Sequence, residues 1–273
     1  MESEQSSKEI KKPKLAVFKF ASCDGCQLSL LNAEEDLLAI GEAVEISHFL
    51  EASSRFTSGP YDLTLVEGSI TTPGDRIRIQ EVRKQSRYLV TIGACATAGG
   101  IQALRNWGDH EEFQRMVYPH PEFLDTLATS TAISDHVQVD FELRGCPVNK
   151  DQLVELITDI LHQRKPRFSR HSVCIECKKS GTVCVAVSRG IPCLGPITQA
   201  GCGGLCPGYD RGCYGCFGPA AQSNVSGLSH WLLEHDLPKT ELVPLLRNFN
   251  ADAPPFREEG NRLSSQQDIE GQS

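Results

Sequence analysis

Twelve cysteines, arranged as four and then eight, constrain this 273-residue chain more than any other feature. The first two stand three apart in Ser22-Cys23-Asp24-Gly25-Cys26-Gln27, directly after an apolar run at 15–20. Two thiols so placed can grip a metal centre but cannot complete it. Two later lone cysteines have matching settings, Cys95 in Gly93-Ala94-Cys95-Ala96-Thr97 and Cys146 in Arg144-Gly145-Cys146-Pro147. The remaining eight are Cys174, Cys177, Cys184, Cys193, Cys202, Cys206, Cys213 and Cys216. Any one cysteine can serve as a small buried hydrophobe. Twelve, most of them in glycine-rich loops, do not fit that use.

The compartment decides how such cysteines are read. The N-terminal residues are polar, with neither an apolar signal core nor a twin-arginine pair, and the apolar runs are strand-sized. The chain is therefore expected to be cytoplasmic, where disulfides are a poor explanation and metal binding a better one. A formal charge of −8 without a basic stripe argues against nucleic acid.

Apolar runs at 15–20, 62–66 and 88–92, and alternation at 44–48 and 137–143, predict strands. Helical spacing predicts helices at 28–40, with Gly41 as a C-cap, at 73–85 with Pro73 in the first turn, and at 152–163. Strands alternating with helices predict a parallel α/β sheet covered on both faces. Ligands in such folds sit beyond the carboxyl ends of the strands. Three cysteine sites follow predicted strands, so Cys23, Cys26, Cys95 and Cys146 should converge on one sheet edge. Residues 167–219 carry little helical periodicity and should depend on bound metal for folding rather than on an apolar core. One short helix is expected in 220–250. The expected divisions are a tail at 1–13, a sheet domain at 14–166, a cysteine-rich domain at 167–250 and an extended tail at 251–273.

Thiolate-only ligation selects zinc or iron–sulfur clusters. All-thiolate structural zinc commonly uses two Cys-x2-Cys pairs. Cys174/Cys177 and Cys213/Cys216 could form one such site, but four cysteines would remain. One pair with two distant singletons, as in the first set, is more typical of a cluster held by loops. Gly25, Gly93, Gly145, Gly203 and Gly215 would let backbone N–H groups approach cluster sulfurs. Glu67 could line an interface or proton route, or simply cap or pair; His171 could support a metal or lie on the surface. No Gly-x-Gly-x-x-Gly follows a strand and no Gly-x4-Gly-Lys-Ser/Thr is present, so nicotinamide, flavin and ATP are not expected ligands. With no nucleophile arrangement evident, the chain should carry electrons, and no catalytic residue is expected.

Several motifs together resemble the small, electron-transferring subunit of nickel–iron hydrogenases over about residues 15–219. They are Cys23-Asp-Gly-Cys26, Val66-Glu-Gly-Ser69, Gly93-Ala-Cys95-Ala-Thr97, Arg144-Gly-Cys146-Pro147, Cys193-Leu-Gly-Pro196 and Cys213-Tyr-Gly-Cys216-Phe-Gly-Pro219. The resemblance implies a flavodoxin-like parallel sheet domain followed by an irregular iron–sulfur-cluster-binding domain. It implies a proximal 4Fe–4S cluster on Cys23, Cys26, Cys95 and Cys146, facing a separate nickel–iron large subunit.

In familiar export-directed members the distal cluster begins with histidine and the medial cluster has three cysteines. Here Cys174 takes the histidine's place and Cys206 is an added thiol. The assignment implied is a distal 4Fe–4S cluster on Cys174, Cys177, Cys184 and Cys193, and a medial one on Cys202, Cys206, Cys213 and Cys216. Gln27 stands where many relatives have an acid, so no proton role is expected of it. The pattern is similar to the cytoplasmic bidirectional group, particularly the delta subunit of the sulfhydrogenase type. That likeness implies flavin/NAD(P)-binding and ferredoxin-like partner subunits or sulfur-reducing ones. Deazaflavin-linked and heterodisulfide-reductase-linked hydrogenases are near neighbours. The small subunit of respiratory complex I fits less well, having adjacent cysteines and no comparable C-terminal block. A stand-alone ferredoxin-like carrier and a zinc-stabilised interaction protein remain as alternatives.

Overall fold

The computed structural model describes residues 12–270, with side chains described through residue 265. Five strands form one wholly parallel sheet: β1 (Lys14–Lys19), β2 (Glu45–Phe49), β3 (Tyr61–Glu67), β4 (Ser86–Ile92) and β5 (Phe141–Leu143), in the order β2-β1-β3-β4-β5. That is the flavodoxin-type order. The helices in chain order are α1 (Gly25–Leu31), α2 (Glu35–Ala43), α3 (Pro73–Gln85), α4 (Gly93–Ala98), α5 (His110–Val117), α6 (Lys150–Leu161), α7 (Val173–Lys179), α8 (Val185–Arg189), α9 (Leu205–Gly208), α10 (Val225–Glu234), α11 (Lys239–Leu246) and α12 (Pro254–Glu270).

The central strands are apolar on both faces because helices cover both. Leu15, Val17, Leu63, Leu65, Val90 and Ile92 pack with Leu30 of α1, Ile40 of α2 and Leu153, Leu156 and Ile157 of α6. On the opposite face Ala16, Phe18, Val66 and Leu89 meet Ile79 and Val82 of α3. Alternate residues of one strand thus enter two cores. The start of α3 is set by Pro73 and by a capping box in which the Thr72 hydroxyl accepts from Asp75 N while the Asp75 carboxylate accepts from Thr72 N.

Four expectations change. The helix expected at 28–40 is two helices, interrupted at Asn32–Glu34, where Glu34 adopts φ +48°; Gly41 lies inside α2 rather than capping it. The strand expected over 137–143 pairs only at Phe141–Leu143, while Val137 and Val139 pack on the α3 side. The cysteine-rich stretch does contribute to an apolar core: Leu194 and Ile197 are buried with Val225, Leu232, Leu242 and Leu246. Two helices, α10 and α11, occupy the region where one was expected.

The extended tail expected at 251–273 is also corrected, since residues 254–270 form α12. Phe256 and Leu263 of α12 are buried in the same core as α10 and α11, each contributing roughly 1.5–3 kcal/mol. Proline doublet and polar composition suggested a tail, but two apolar residues seven apart suffice to seat a helix. Residues 1–11 of the tail expected at 1–13 lie outside the described residues. Among the described residues, no helix is long and apolar enough to cross a membrane.

Candidate metal centres at the sheet edge and in the cysteine-rich block

Parallel strands end together, and that alone brings the first four cysteines to one edge. Cys23 and Cys26 follow β1, Cys95 lies in α4 immediately after β4, and Cys146 follows β5. The four lie near enough to disfavour one another's ionisation: Cys26 is influenced by Cys95 and Cys146, and Cys95 by Cys146 and Cys23. Burial, reinforced by these neighbours and by Glu67, pushes the Cys95 thiol up to about 11 and raises those of Cys26 and Cys146 as well. Such thiols are protonated near neutral pH and become stable thiolates when cations bind them.

The Cys23–Cys26 loop is held from beneath. Asp24 starts α1 in the left-handed region, φ +66°, and its side chain does not cap the helix. Glu67, at the end of β3 and 2% exposed, takes that role: its Oε1 accepts from Cys26 N at 3.0 Å and its Oε2 from Gln27 Nε2 at 2.7 Å. Gln27, 1% exposed, also donates to Asp24 Oδ1 at 3.3 Å, and Lys19 pairs with Asp24 at 2.5 Å. Burial raises the Glu67 pKa, opposed by those hydrogen bonds. Of the alternatives open for Glu67, the structure shows capping: it orients the Cys23–Cys26 loop. Gly93, φ +86°, lies so near the Cys26 Sγ that any Cβ would collide with it. Gly100, φ +66°, stands in the same relation to Cys95.

The other eight cysteines gather in one adjoining region. Cys174 senses Cys193 and Cys184; Cys177 senses Cys174, Cys193 and Cys202; Cys206 senses Cys202 and Cys193. Cys213 lies beside Cys193, whose sulfur accepts from Cys213 N at 3.2 Å. Cys216 senses Cys202, Cys206 and Cys146, so the two sets meet where Cys216 approaches Cys146. Burial is the largest cause of the upward shifts, taking Cys177 to about 11 and Cys213 and Cys216 to about 12. Among the described residues, no three His, Cys, Asp or Glu side chains converge closely enough to share a single ion.

A family profile described as NADH ubiquinone oxidoreductase, 20 kDa subunit, matches residues 23–160. The match begins at Cys23 and ends inside α6. The chain belongs to this family. Curated proteins similar to it are hydrogenase subunits. The sulfhydrogenase 2 subunit delta of Pyrococcus furiosus is 36% identical over 86% of this chain and 98% of its own length. An F420-non-reducing hydrogenase subunit of Methanocaldococcus jannaschii is 30% identical, over 77% of this chain and 83% of its own. Among solved structures, a chain of an NAD+-reducing NiFe-hydrogenase in the H2-reduced state superposes with a TM-score of 0.54 at 29% identity, over 58% of this chain and 96% of that one. The relatives are thus oxidoreductase subunits of the nickel–iron hydrogenase type, and the flavodoxin-like sheet agrees with that likeness.

Several supporting residues of this family member were not found by sequence reasoning. Glu176, inside the Cys174–Cys177 turn, accepts from Gly201 N at 2.9 Å and Gly204 N at 3.1 Å, so it ties α7 to the loop bearing Cys202 and Cys206. A charged residue between two cysteines was the available signal. Asn250, 2% exposed, donates to Gly215 O at 2.9 Å and Cys216 O at 3.0 Å, holding the Cys213–Cys216 turn from the C-terminal helices. Nothing local marks Asn250. Gln102 joins Cys95 to the first loop: its Oε1 accepts from Cys95 Sγ at 3.4 Å and its Nε2 donates to Ala21 O at 2.9 Å. The His171 ring faces the Ser172 carbonyl, Nδ1 to O 3.1 Å.

Proposed function

We propose that this chain is the electron-relay subunit of a cytoplasmic nickel–iron hydrogenase, holding three 4Fe–4S clusters. The ligand sets are Cys23, Cys26, Cys95 and Cys146; then Cys202, Cys206, Cys213 and Cys216; then Cys174, Cys177, Cys184 and Cys193. The observation that carries the reading is the continuity of thiols across the molecule. The sheet-edge group meets the C-terminal group through Cys146 and Cys216, and Cys193, beside Cys213, leads on to Cys174 and then to exposed Cys184. The donor set fits clusters: all-thiolate, in fours, with glycine where the chain passes closest to sulfur.

When bound, the clusters supply one-electron transfer between the partner's nickel–iron site and an acceptor subunit. The protein supplies ligands, spacing and insulation. Glu67 and Gln27 fix the first loop, Gly93 and Gly100 leave room beside its sulfurs, and Glu176 and Asn250 fix the other two loops. Oxidation of one H2 delivers two electrons and two protons, so two one-electron acceptors, or one hydride acceptor such as NAD(P), are consumed per turnover. NAD(P)- or sulfur-reducing partner subunits complete the proposed assembly.

Anaerobic isolation of the native complex tests this. The expected result is co-purification with a nickel-bearing large subunit and H2-dependent dye reduction. A stable monomer without such a partner would favour a free ferredoxin-like carrier, and zinc without labile sulfide would refute clusters.

A further inference from the structure

Residues 137–143 alternate as a strand should, yet only Phe141–Leu143 join the sheet, and they pair with β4 alone. β5 is therefore an edge strand with one side unfilled. Along that edge runs a groove of about 910 Å³, walled by β5 on one side and by residues 165–170, which follow α6, on the other. It continues into a cavity of about 290 Å³ beside Tyr88. Shared walls at Asp140, Phe141, Lys165 and Pro166 join the two into one trough.

The trough has apolar walls and a cationic rim. Phe141 and Phe168 meet edge to face on the α6 side of the sheet, ring centroids 5.8 Å apart. Val137 and Val139 line it from the α3 side. On the rim, Lys165, Arg167 and Arg170 are exposed, and among the described residues no acidic side chain pairs with them. The acids lining the trough are already engaged: Asp140 pairs with Arg83 at 2.5 Å and Glu142 with Arg144 at 3.2 Å. Three unopposed cations within six residues stand out in a chain of formal charge −8.

We propose that this trough seats an extended, acidic segment of a neighbouring subunit, which adds a sixth strand to the sheet beside β5. Strand addition draws affinity from main-chain hydrogen bonds at a free edge and selectivity from side chains on alternate faces. Here one set of side chains meets Phe141 and Phe168 and the other meets Val137 and Val139, while carboxylates meet Lys165, Arg167 and Arg170. A small anion uses the cations but neither the strand edge nor the apolar walls. A basic segment is repelled. The contact is an anchor and carries no electrons. It rests on the subunit reading above, not on the clusters.

The test is zero-length carbodiimide crosslinking of the anaerobically purified complex, read by peptide mass spectrometry, with amide hydrogen exchange measured alongside. Carbodiimide joins the Lys165 amine to a carboxylate in contact with it. The native complex is compared with one bearing Arg167→Glu and Arg170→Glu. Lys165 should crosslink to Asp or Glu in one segment of another subunit, and added salt should lower the yield by screening the rim. Charge reversal should cut that yield about tenfold and speed exchange of amides 139–143 about tenfold, with iron content and dye reduction within about twofold of native. Lys165 crosslinks confined to this chain or to a second copy of it would overturn the proposal, as would yield and exchange unaffected by charge reversal. An assembled complex without H2-dependent dye reduction would overturn the relay reading instead, while the Lys165 crosslink still judges the trough. Recovery of the chain as a stable monomer would refute both.

Discussion

At Gly93 the backbone takes φ +86° and passes against the Cys26 sulfur. A side chain there is strained by roughly 1–3 kcal/mol before its collision with the ligand is counted. Gly93→Val should therefore strip the first site alone, losing about four of the complex's iron atoms while signals from the other two clusters persist; loss of all iron would show a folding defect instead. Glu67→Ala leaves Cys26 N and Gln27 Nε2 buried without their acceptor. A cost of about 1–3 kcal/mol is expected, read as a lower melting temperature, with a shifted proximal-cluster signal. Cys206→Ser should convert one spectroscopic signal to that of a 3Fe–4S centre in the oxidised protein, leaving the signal that depends on Cys184 intact. The same change on Cys184→Ser would mean the two share a cluster. At this scale the grouping of the cysteines could be read because thiols in fours beside glycines stand out in a sequence, and Gly93 and Gly100 do lie against cysteine sulfurs. Glu67 was noticed without a settled role, since its partners lie 40 and 41 residues earlier. Asn250 was invisible because its partners lie 34 and 35 residues away.

Among the elements, β1, β3 and β4 were legible because a strand buried on both faces is a nearly unbroken apolar run. Helix α3 was legible through Pro73 in its first turn. The break between α1 and α2 was not, because apolar spacing continues through residues 32–34 and only the backbone of Glu34 departs from helix. The C-terminal segment misled more seriously. Its helix depends on Phe256 and Leu263 meeting α10 and α11, a tertiary effect that composition does not carry. Leu263→Ala should destabilise this helical unit by about 2–5 kcal/mol. Because Asn250 links the same unit to the Cys213–Cys216 turn, the variant should lose medial-cluster signal on warming before proximal-cluster signal. Melting that leaves all signals in step would show that α12 does not support the metal region.

For the whole molecule, a parallel sheet gathers four thiols at one edge, and a basic, loop-rich block carries eight more. Burial raises these thiols, with Cys95 at about 11 and Cys213 and Cys216 at about 12, against an ordinary value near 9. A raised pKa keeps the proton on sulfur, and metal must displace it. Iron and sulfide loading of the metal-free chain should thus weaken as pH falls from about 8 to about 6; loading indifferent to pH would argue against thiol ligation. The convergence of the first four cysteines was legible from strand order alone. The meeting of Cys146 with Cys216 was not, since it depends on how the second block folds back. A three-cluster relay stands or falls on metal and acid-labile sulfide analysis of the anaerobically purified complex, counted per copy of this chain after subtracting partner content. Three four-cysteine sites require about 12 iron and 12 sulfide, with zinc absent; zinc without sulfide, or about four iron with the C-terminal block unmetallated, would rule the relay out.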